Sequence, residues 1–380
     1  MAEFDVMPAF SIRPVVAAMS ILVFGCNVGL AAEARGARRV PVIHCTDLFH
    51  PHVDPDDHFD LASVYAFPEF DLKGVVLDQG RQQLTQPGKM PVAQMNRITG
   101  RSVPAAIGLA EPLKNPHDKA LAQSAEFQGG VELILRVLRE SREKVRLSAV
   151  GSMRDVVAAY NREPGLFRKK VAMVLAFIGE ASDQSFQEWN VKLDPQAYVG
   201  LMRSGLPVYW VPCFDGGAWQ NKGHASFWRA SHRALLADAT PEATQFFIYA
   251  LEKEMAEPLA FLSQPVDPVR QERLLAGTRN LWCTAVFGVM SGREVVWDGQ
   301  RGRLTLPHSN HSGTGGGEKA LFGFTEVSIR VSDPGVVSYG KGPGSHRVKR
   351  FEVLDAAHYE PGMVQATAEL LGGLGKKAEP

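Results

Sequence analysis

The organisation of the chain is set by the stretch Val42-Ile43-His44-Cys45-Thr46-Asp47 and, after a polar loop, Asp54-Pro55-Asp56-Asp57-His58-Phe59-Asp60-Leu61-Ala62. The apolar run Val40 to Ile43 predicts a short strand that leads into Asp47. Leu61 to Ala66 then predicts a helix with Asp56 and Asp57 in or before its first turn. Carboxylates are therefore gathered at one strand-to-helix crossover.

Four aspartates of this stretch, Asp47, Asp54, Asp56 and Asp57, repel one another unless a positive group lies among them. Capping of the helix N-terminus explains one or two of them, because acids there meet free backbone N–H groups and the helix dipole. It does not explain an acid at the preceding strand end as well. Ligation by oxygen alone suits a hard cation such as Ca²⁺ or Mg²⁺. The spacing alone leaves metal binding and capping as alternatives of equal weight.

The overall charge is balanced: the 380 residues include 41 Lys and Arg against 41 Asp and Glu, and 45% of them are hydrophobic. This balance gives no electrostatic footprint for nucleic acid or for an anionic membrane surface, so neither is expected as a partner. A chain of this length can bury a large core, either as one α/β domain or as two smaller ones.

Residues 1–34 predict a signal peptide rather than part of the fold. An apolar run, Pro14 to Gly25, is followed by small residues, and Ala32 and Ala34 fit a signal-peptidase site. The run is too short for a comfortable membrane span. A buried N-terminal helix is the alternative, and Cys26 leaves lipidation open. We therefore expect a secreted or periplasmic protein without a membrane span.

Strand and helix patterns alternate along the remaining chain. Strands are predicted at 72–77, 103–108, 145–150, 171–178 and 206–212, with helices between them. The run 171–178 is apolar on both faces, which is typical of a central, buried parallel strand. The alternation predicts an α/β fold with an open, mostly parallel sheet and helices on both sides. Residues 224–280 are predicted to be mostly helical, with their aromatic side chains in the core.

Ligands of such sheets bind at the carboxyl ends of the strands. Several polar residues lie at or just beyond a predicted strand end, namely Asp47, Asp78, Arg154, Glu180 and Asp215. We therefore expect these side chains to face one crevice.

Several motifs together resemble the nucleoside hydrolases, calcium-dependent enzymes that cleave the N-glycosidic bond of ribonucleosides. Asp47 and the pair Asp56-Asp57 match the family's opening strand and aspartate pair. Glu188-Trp189-Asn190, followed by Asp194-Pro195, is similar to the later Glu-Phe-Asn and Asp-Pro signature. Gly151 to Asp155 stands where the family has Gly-Pro-Leu-Thr-Asn, and only the glycine is kept.

The resemblance covers roughly residues 40–372 and implies the fold of the family. We expect a single large nucleoside hydrolase-like domain over residues 35–375 and a loose C-terminal end at 376–380. The implied substrate is a nucleoside or a related ribosyl compound. Members of the family often form homo-oligomers, so self-association is a further expectation.

The resemblance also implies roles for individual residues. Asp47, Asp57 and the backbone carbonyl of Arg154 would hold Ca²⁺, or Mg²⁺ in its place, and Asp47 would be the general base that activates a water molecule. Carboxylates near the sugar would stabilise the positive charge of the transition state. Substrate binding is assigned to Asp56 at the ribose hydroxyls and to Glu188, Trp189 and Asn190.

The chain departs from the family at three places. The family's His-Asp pair, which is a leaving-group acid and a metal ligand, falls on Cys283-Thr284, and Thr284 would ligate only through a neutral oxygen. The asparagine that follows the family's second strand falls near Arg81. An insertion after Asp47 brings His50 and His52, which would serve as leaving-group acids or extra ligands unless the insertion is a solvated loop.

These departures leave two hypotheses. The first is a metal-dependent hydrolase of N-glycosidic bonds in nucleosides or related ribosyl compounds. The second is a catalytically weakened homologue that binds a sugar or nucleoside without cleaving it, and the replacement of the His-Asp pair favours it.

Overall fold

The computed structural model describes residues 39–306 and 318–376. The predicted signal peptide at 1–34 lies outside these residues, as does most of the predicted loose end, 377–380. Among the helices that are described, none has both the length and the apolar character needed to cross a bilayer.

The strands are β1 Val40–Thr46, β2 Phe70–Leu77, β3 Ala105–Ile107, β4 Val145–Val150, β5 Val171–Phe177, β6 Val208–Val211, β7 Trp228–Ser231, β8 Thr278–Leu281, β9 Glu294–Trp297, β10 Gly302–Thr305, β11 Lys319–Ala320, β12 Phe322–Val331, β13 Val337–Tyr339 and β14 His346–Val353. The helices are α1 Asp56–Ala66, α2 Gly80–Gln83, α3 Lys89–Thr99, α4 Gly129–Glu140, α5 Arg154–Arg162, α6 Pro164–Lys170, α7 Trp189–Leu193, α8 Pro195–Arg203, α9 His232–Leu236, α10 Pro241–Leu251, α11 Pro258–Leu262, α12 Pro268–Leu275 and α13 Tyr359–Gly372. Two 3₁₀ segments are Ala125–Phe127 and Thr284–Ser291.

A 9-stranded sheet with the order β13-β12-β14-β6-β5-β4-β1-β2-β3 forms the centre of the fold. The strands from β14 to β3 in this order pair in parallel, and only β12 pairs antiparallel, with β13 and β14. The predicted open, mostly parallel sheet is confirmed. Since parallel strands point the same way, the carboxyl ends of β1, β2, β4, β5 and β6 meet at one edge.

Helices cover both faces of this sheet, as predicted. Strand β5 is buried on both faces. Leu175 and Phe177 belong to a buried cluster that includes α1, α10 and α13. Val174 and Ala176 belong to a second cluster, on the other face, that includes α4, α5 and α8. A strand buried on both faces must be apolar at every position, which is the pattern that the sequence carries.

The region 224–280 is only partly as predicted. Its aromatic side chains are core, and Trp228, Phe246 and Tyr249 are all buried. However, the antiparallel pair β7–β8 encloses the helices α9 to α12. Strand β7 has only 4 residues, too few for its alternating burial to be separated from the helical pattern around it.

Candidate functional site

Aspartates gather at the carboxyl ends of β1 and β2 and in the first turn of α1. Asp47 directly follows β1, Asp78 follows β2, and Asp56 and Asp57 open α1. The side chains of Asp57 and Asp78 are buried, while Asp47 and Asp56 keep part of their surface accessible. The predicted gathering of carboxylates at one crossover is therefore present, and solvent or a ligand can reach it.

Asp47 and Asp57 have few hydrogen-bond donors. Asp47 accepts a hydrogen bond from the side-chain amide of Gln79 at 3.2 Å, and Asp57 accepts one from the hydroxyl of Thr46 at 3.4 Å. Burial and, after it, the charge of Asp78 raise the pKa of Asp47 to about 7. Burial and then the charge of Asp47 likewise raise the pKa of Asp57. The site is thus an acidic cluster whose repulsion a ligand could relieve.

Asp78 holds the turn after β4 against this cluster. Its carboxylate accepts hydrogen bonds from the backbone N–H of Ser152 at 2.7 Å and from the Ser152 hydroxyl at 2.8 Å. The preceding Gly151 has a φ of +88°, and a Cβ there would lie 2.9 Å from Asp47 Oδ1 and 2.8 Å from Asp78 Oδ2. Only glycine fits, which explains why this residue of the family motif is kept while the others differ.

Arg154 begins α5 directly after this turn, and its side chain is buried. The guanidinium donates hydrogen bonds to the carbonyls of Ala110 and Leu193, both at 3.1 Å, and its Nε lies 3.7 Å from carboxylates of Asp78 and Asp194. The side chain therefore ties the surrounding loops together. The ligand role assigned to its backbone carbonyl stays a prediction.

Thr284 is buried between α13 and α1. Its hydroxyl accepts a hydrogen bond from the hydroxyl of Thr367 in α13 at 3.2 Å. Its backbone N–H donates to Asp60 Oδ1 at 3.3 Å. Thr284 as a metal ligand stays a prediction.

Asp60, which the sequence motifs did not single out, links α1 to the segment where the family has its His-Asp pair. Its carboxylate accepts hydrogen bonds from the Thr284 N–H and the Cys283 thiol. Burial is the main cause that raises the pKa of Asp60 to about 7. The one available signal in the sequence is spacing, because residues four apart, here Asp56 and Asp60, share a helix face.

Gln79 was also missed, although it contacts the proposed base. The backbone of Gln79 is in the left-handed conformation, with a φ of 56°, and the side-chain amide donates a hydrogen bond to Asp47. Arg81, where the family asparagine falls, instead forms an exposed ion pair with Glu111. Sequence gives no sign of such a backbone conformation at a non-glycine residue.

Glu188 caps the N-terminus of α7, close to the end of β5. Oε1 accepts a hydrogen bond from the Asn190 N–H at 2.8 Å, and Oε2 accepts from the N–H groups of Gly179 and Val191 at 2.9 and 3.4 Å. The Asn190 amide donates to the Phe177 carbonyl at 3.3 Å. Both side chains are thus engaged by the protein, and their contacts with sugar hydroxyls stay a prediction, as does the role of Trp189, which is 65% exposed.

His50 and His52 pack against α10 and not against the acidic cluster. Nε2 of His50 lies 2.6 Å from the carbonyl oxygen of Glu254, and the His50 ring stacks on Tyr249 with centroids 4.6 Å apart. The ring of His52 lies 6.2 Å from that of His58, which is fully buried. The insertion is therefore largely folded against the protein, and it does not present these two imidazoles to the aspartates.

The acidic cluster meets only part of what a cation requires. Within residues 39–306 and 318–376, no three His, Cys, Asp or Glu side chains are arranged to hold a metal ion. Asp47 and Asp57 nonetheless fit a hard cation, because they are two oxygen ligands that repel each other and have little hydrogen bonding to offset that repulsion. Carbonyl oxygen, water and substrate hydroxyls would have to complete the coordination shell.

Fold and site together define an α/β protein with a carboxylate-lined site at the carboxyl edge of a parallel sheet. Residues 51–268, more than half of the chain, match the inosine-uridine preferring nucleoside hydrolase family. The chain belongs to this family, so the predicted family membership is confirmed.

Curated relatives resemble part of the chain. It is 28% identical over 173 residues to the pyrimidine-specific ribonucleoside hydrolase RihA of Enterobacter sp. (strain 638), and the match covers 40% of this chain and 55% of the relative. It is 26% identical over 189 residues to RihA of Citrobacter koseri, which covers 44% and 58%. The chain thus spans about half the length of the curated relatives it matches.

Solved structures share the fold over most of the chain. The effector protein XOO4466 matches with a TM-score of 0.51 at 16% identity, covering 93% of this chain and all of that one. An inosine-guanosine nucleoside hydrolase matches with a TM-score of 0.50 at 12% identity, covering 88% and 98%. At these identities the likeness shows the fold alone.

Proposed function

We propose that this protein hydrolyses N-glycosidic bonds of nucleosides or related ribosyl compounds and that it depends on Ca²⁺, with Mg²⁺ as an alternative. One observation carries the proposal: the partly accessible Asp47 stands at a strand end beside Asp56 and Asp57, in a cluster that has few internal donors. Membership of the nucleoside hydrolase family supports the substrate class. The curated relatives, which are named pyrimidine-specific ribonucleoside hydrolases, support a nucleoside as the substrate.

The side chains of this cluster supply the chemistry of a hydrolytic step. Asp47 takes a proton from water while the water oxygen bonds to the sugar carbon. Asp56 accepts hydrogen bonds from ribose hydroxyls and, with its neighbours, stabilises the positive charge that develops on the sugar. A bound hard cation would lower the pKa of the attacking water and fix the diol.

The test is release of free ribose from a panel of nucleosides, with and without a chelator, together with the metal content of the purified chain. Chelator-sensitive release that disappears in the folded Asp47→Ala variant is expected. Bound Ca²⁺ without release would contradict hydrolysis and favour a protein that binds without cleaving. Release that persists in Asp47→Ala, or a chain that binds no metal, would contradict the roles given to Asp47 and Asp57.

We also propose that the chain is exported and that residues 1–34 are removed. The apolar run from Pro14 to Gly25 and the small residues after it support this proposal. N-terminal sequencing of the protein from the periplasm and medium should begin near Arg35. An intact Met1 in cytosolic protein would contradict export. Light scattering of the same sample measures whether the protein forms the homo-oligomer that its family suggests.

A further inference from the structure

A base that leaves a nucleoside usually needs a proton, and the segment that would donate it in the family has lost its histidine. Cys283 takes the place of that histidine, and its thiol donates a hydrogen bond to Asp60. Burial raises the pKa of this thiol well above its usual range. His50 stacks on Tyr249 of α10 and His52 is hydrogen-bonded to the backbone of Leu251 in α10, so neither imidazole is directed to the acidic cluster. If the chain protonates its leaving group, the donor must lie on another loop.

A histidine with a buried carboxylate behind it lies on the loop that follows β6. Asp215 Oδ2 accepts hydrogen bonds from the His224 backbone N–H and from Nδ1 of the same residue, both at 3.0 Å. Asp215 Oδ1 accepts a hydrogen bond from the Ser182 hydroxyl at 2.6 Å. The carboxylate is therefore fixed by two loops, and it sets the orientation of the imidazole.

The other ring nitrogen of His224 is available. The His224 side chain is 33% exposed while that of Asp215 is 1% exposed. In the part of the chain that the structure describes, Nε2 of His224 has no hydrogen-bond partner. A buried carboxylate on Nδ1 and an accessible Nε2 are the arrangement in which an imidazole exchanges protons with a substrate.

An aromatic wall is built from the loop that carries this histidine and from the segments next to Glu188 and Cys283. The wall consists of Phe186, Phe214, Trp219, Phe227 and Trp282. Phe214 is at its centre, with ring centroids 5.4 Å from Trp219, 5.9 Å from Trp282 and 5.8 Å from Phe186. The wall thus joins the loop before Glu188, the loop that carries His224, and the residue before Cys283.

The wall also has the properties of a surface that receives a flat ring. Trp219 is 58% exposed although it belongs to a packed aromatic cluster. Trp282 of the wall donates a hydrogen bond from Nε1 to the Cys213 carbonyl at 2.9 Å, and the next residue, Cys283, is hydrogen-bonded to Asp60 in α1, the helix that carries Asp56 and Asp57. A sugar bound at the aspartates could therefore place its base against these rings, because aromatic faces stack on one another.

We propose that His224, oriented by Asp215, donates the proton to the leaving base, while the aromatic wall holds that base beside it. This inference rests on the proposed hydrolysis. As the bond between the sugar carbon and the base nitrogen breaks, its electron pair stays on the nitrogen, which takes the proton from Nε2 of the protonated imidazole. Water supplies the new hydroxyl on the sugar, and its proton goes to Asp47.

The experiment compares two substrates that differ in their need for an acid. A nucleoside requires protonation of its base, whereas p-nitrophenyl riboside releases an anion that is stable at neutral pH. His224→Gln should lower kcat for the nucleoside by about 10²- to 10⁴-fold and change the p-nitrophenyl rate by no more than a few-fold. Asp215→Asn, which leaves the acid in place but disturbs its orientation, should show the same selectivity with a smaller loss.

The chain offers a matched control in a second His–Asp pair. Nδ1 of His358 lies 3.0 Å from Asp355 Oδ2 at the start of α13, and its ring stacks on Trp297 instead of the aromatic wall. His358→Gln should leave both rates unchanged. The p-nitrophenyl rate also serves as a test of folding for each variant.

The outcomes separate this inference from the proposed function. An active wild type whose His224→Gln variant is unchanged on both substrates, or equally slowed on both, would overturn the role of His224 alone. A wild type that cleaves neither substrate would overturn the proposed hydrolysis and this inference with it. Selective loss on the nucleoside is the result that supports it.

Discussion

Two groups of carboxylates at the same edge of the sheet differ in how many hydrogen bonds they accept from the protein. At the end of β5, Glu180 accepts hydrogen bonds at 2.7 to 3.1 Å from four backbone N–H groups, those of Ser182, Asp183, Gly216 and Gly217. At the crossover from β1 to α1, Asp47 and Asp57 each accept one hydrogen bond from a side chain, that of Gln79 at 3.2 Å and that of Thr46 at 3.4 Å.

The difference separates carboxylates that build loops from carboxylates that have little hydrogen bonding from the protein. Backbone N–H groups stabilise the charge of Glu180 and Glu188 inside the protein. Burial raises the pKa of Glu188 as well as those of Asp47 and Asp57, but backbone hydrogen bonds act against it at Glu188, whereas the charges of neighbouring aspartates add to it at Asp47 and Asp57. Glu188 was predicted to bind substrate from its place in a motif, and its hydrogen bonds show that it also has a structural role.

The largest expected effect concerns the crossover. Asp47→Asn should reduce nucleoside turnover by about 10²- to 10⁴-fold, because the variant cannot take a proton from water. The same variant should unfold no more easily than the wild type in metal-free buffer, because it removes one of several repelling charges. Steady-state kinetics and urea unfolding measure the two effects. An active variant would contradict Asp47 as the base. A strongly destabilised variant would show that Asp47 has a structural role like that of Glu188.

The second prediction concerns pH. In the folded state Asp47 and Asp60 have pKa values of about 7, against about 4 for an unfolded aspartate, so the folded state holds more protons between these values. The free energy of unfolding of the metal-free protein should therefore fall as pH rises from about 4 to about 7 and level off above it, by up to about 1.4 kcal/mol per pH unit for each group.

Urea unfolding across this pH range, with a chelator present, measures the slope. Asp47→Asn should flatten it, and Ca²⁺ should restore stability at the alkaline end, because a cation favours the ionised carboxylates. Stability that rises between about pH 5 and pH 7 without metal would contradict a cluster of repelling acids.

The third prediction tests the structural group. Glu188→Gln should lower the free energy of unfolding by about 1–3 kcal/mol, because three backbone N–H groups lose a charged acceptor. Asp57→Asn, in the other group, is the matched comparison and should not destabilise the metal-free protein. Equal losses in the two variants, measured by urea unfolding, would show that the two groups do not differ in the way proposed.

The smallest effect is expected at Trp189. This side chain is 65% exposed, so Trp189→Ala should change the free energy of unfolding by less than about 0.5 kcal/mol. If it contacts the substrate, as the sequence motif predicts, KM should rise with little change in kcat. An unchanged KM would remove Trp189 from the binding site and leave Asp56, Glu188 and Asn190 as the predicted contacts.

Local patterns were a good guide to the elements and a poorer guide to the contacts between them. The apolar run of β5 and the alternation of strands with helices predicted the parallel sheet, because burial on both faces imposes a readable pattern. The antiparallel strands β7, β8 and β12 were missed. Strand β12 buries its residues irregularly, and antiparallel pairing at the edge of a sheet leaves no such run.

The sequence by itself determined that Asp47, Asp56 and Asp57 would meet at one crossover, because a strand end and the next helix start are neighbours along the chain. Only the tertiary structure decided which distant groups surround them: Asp60 against Cys283 and Thr284, Gln79 against Asp47, and Asp215 behind His224. Such contacts depend on the order of strands, on loop paths and on single backbone conformations such as the left-handed Gln79. Hydrogen bonding and burial then decide whether a carboxylate caps a loop or stays available to a ligand, and neither can be read from residue type.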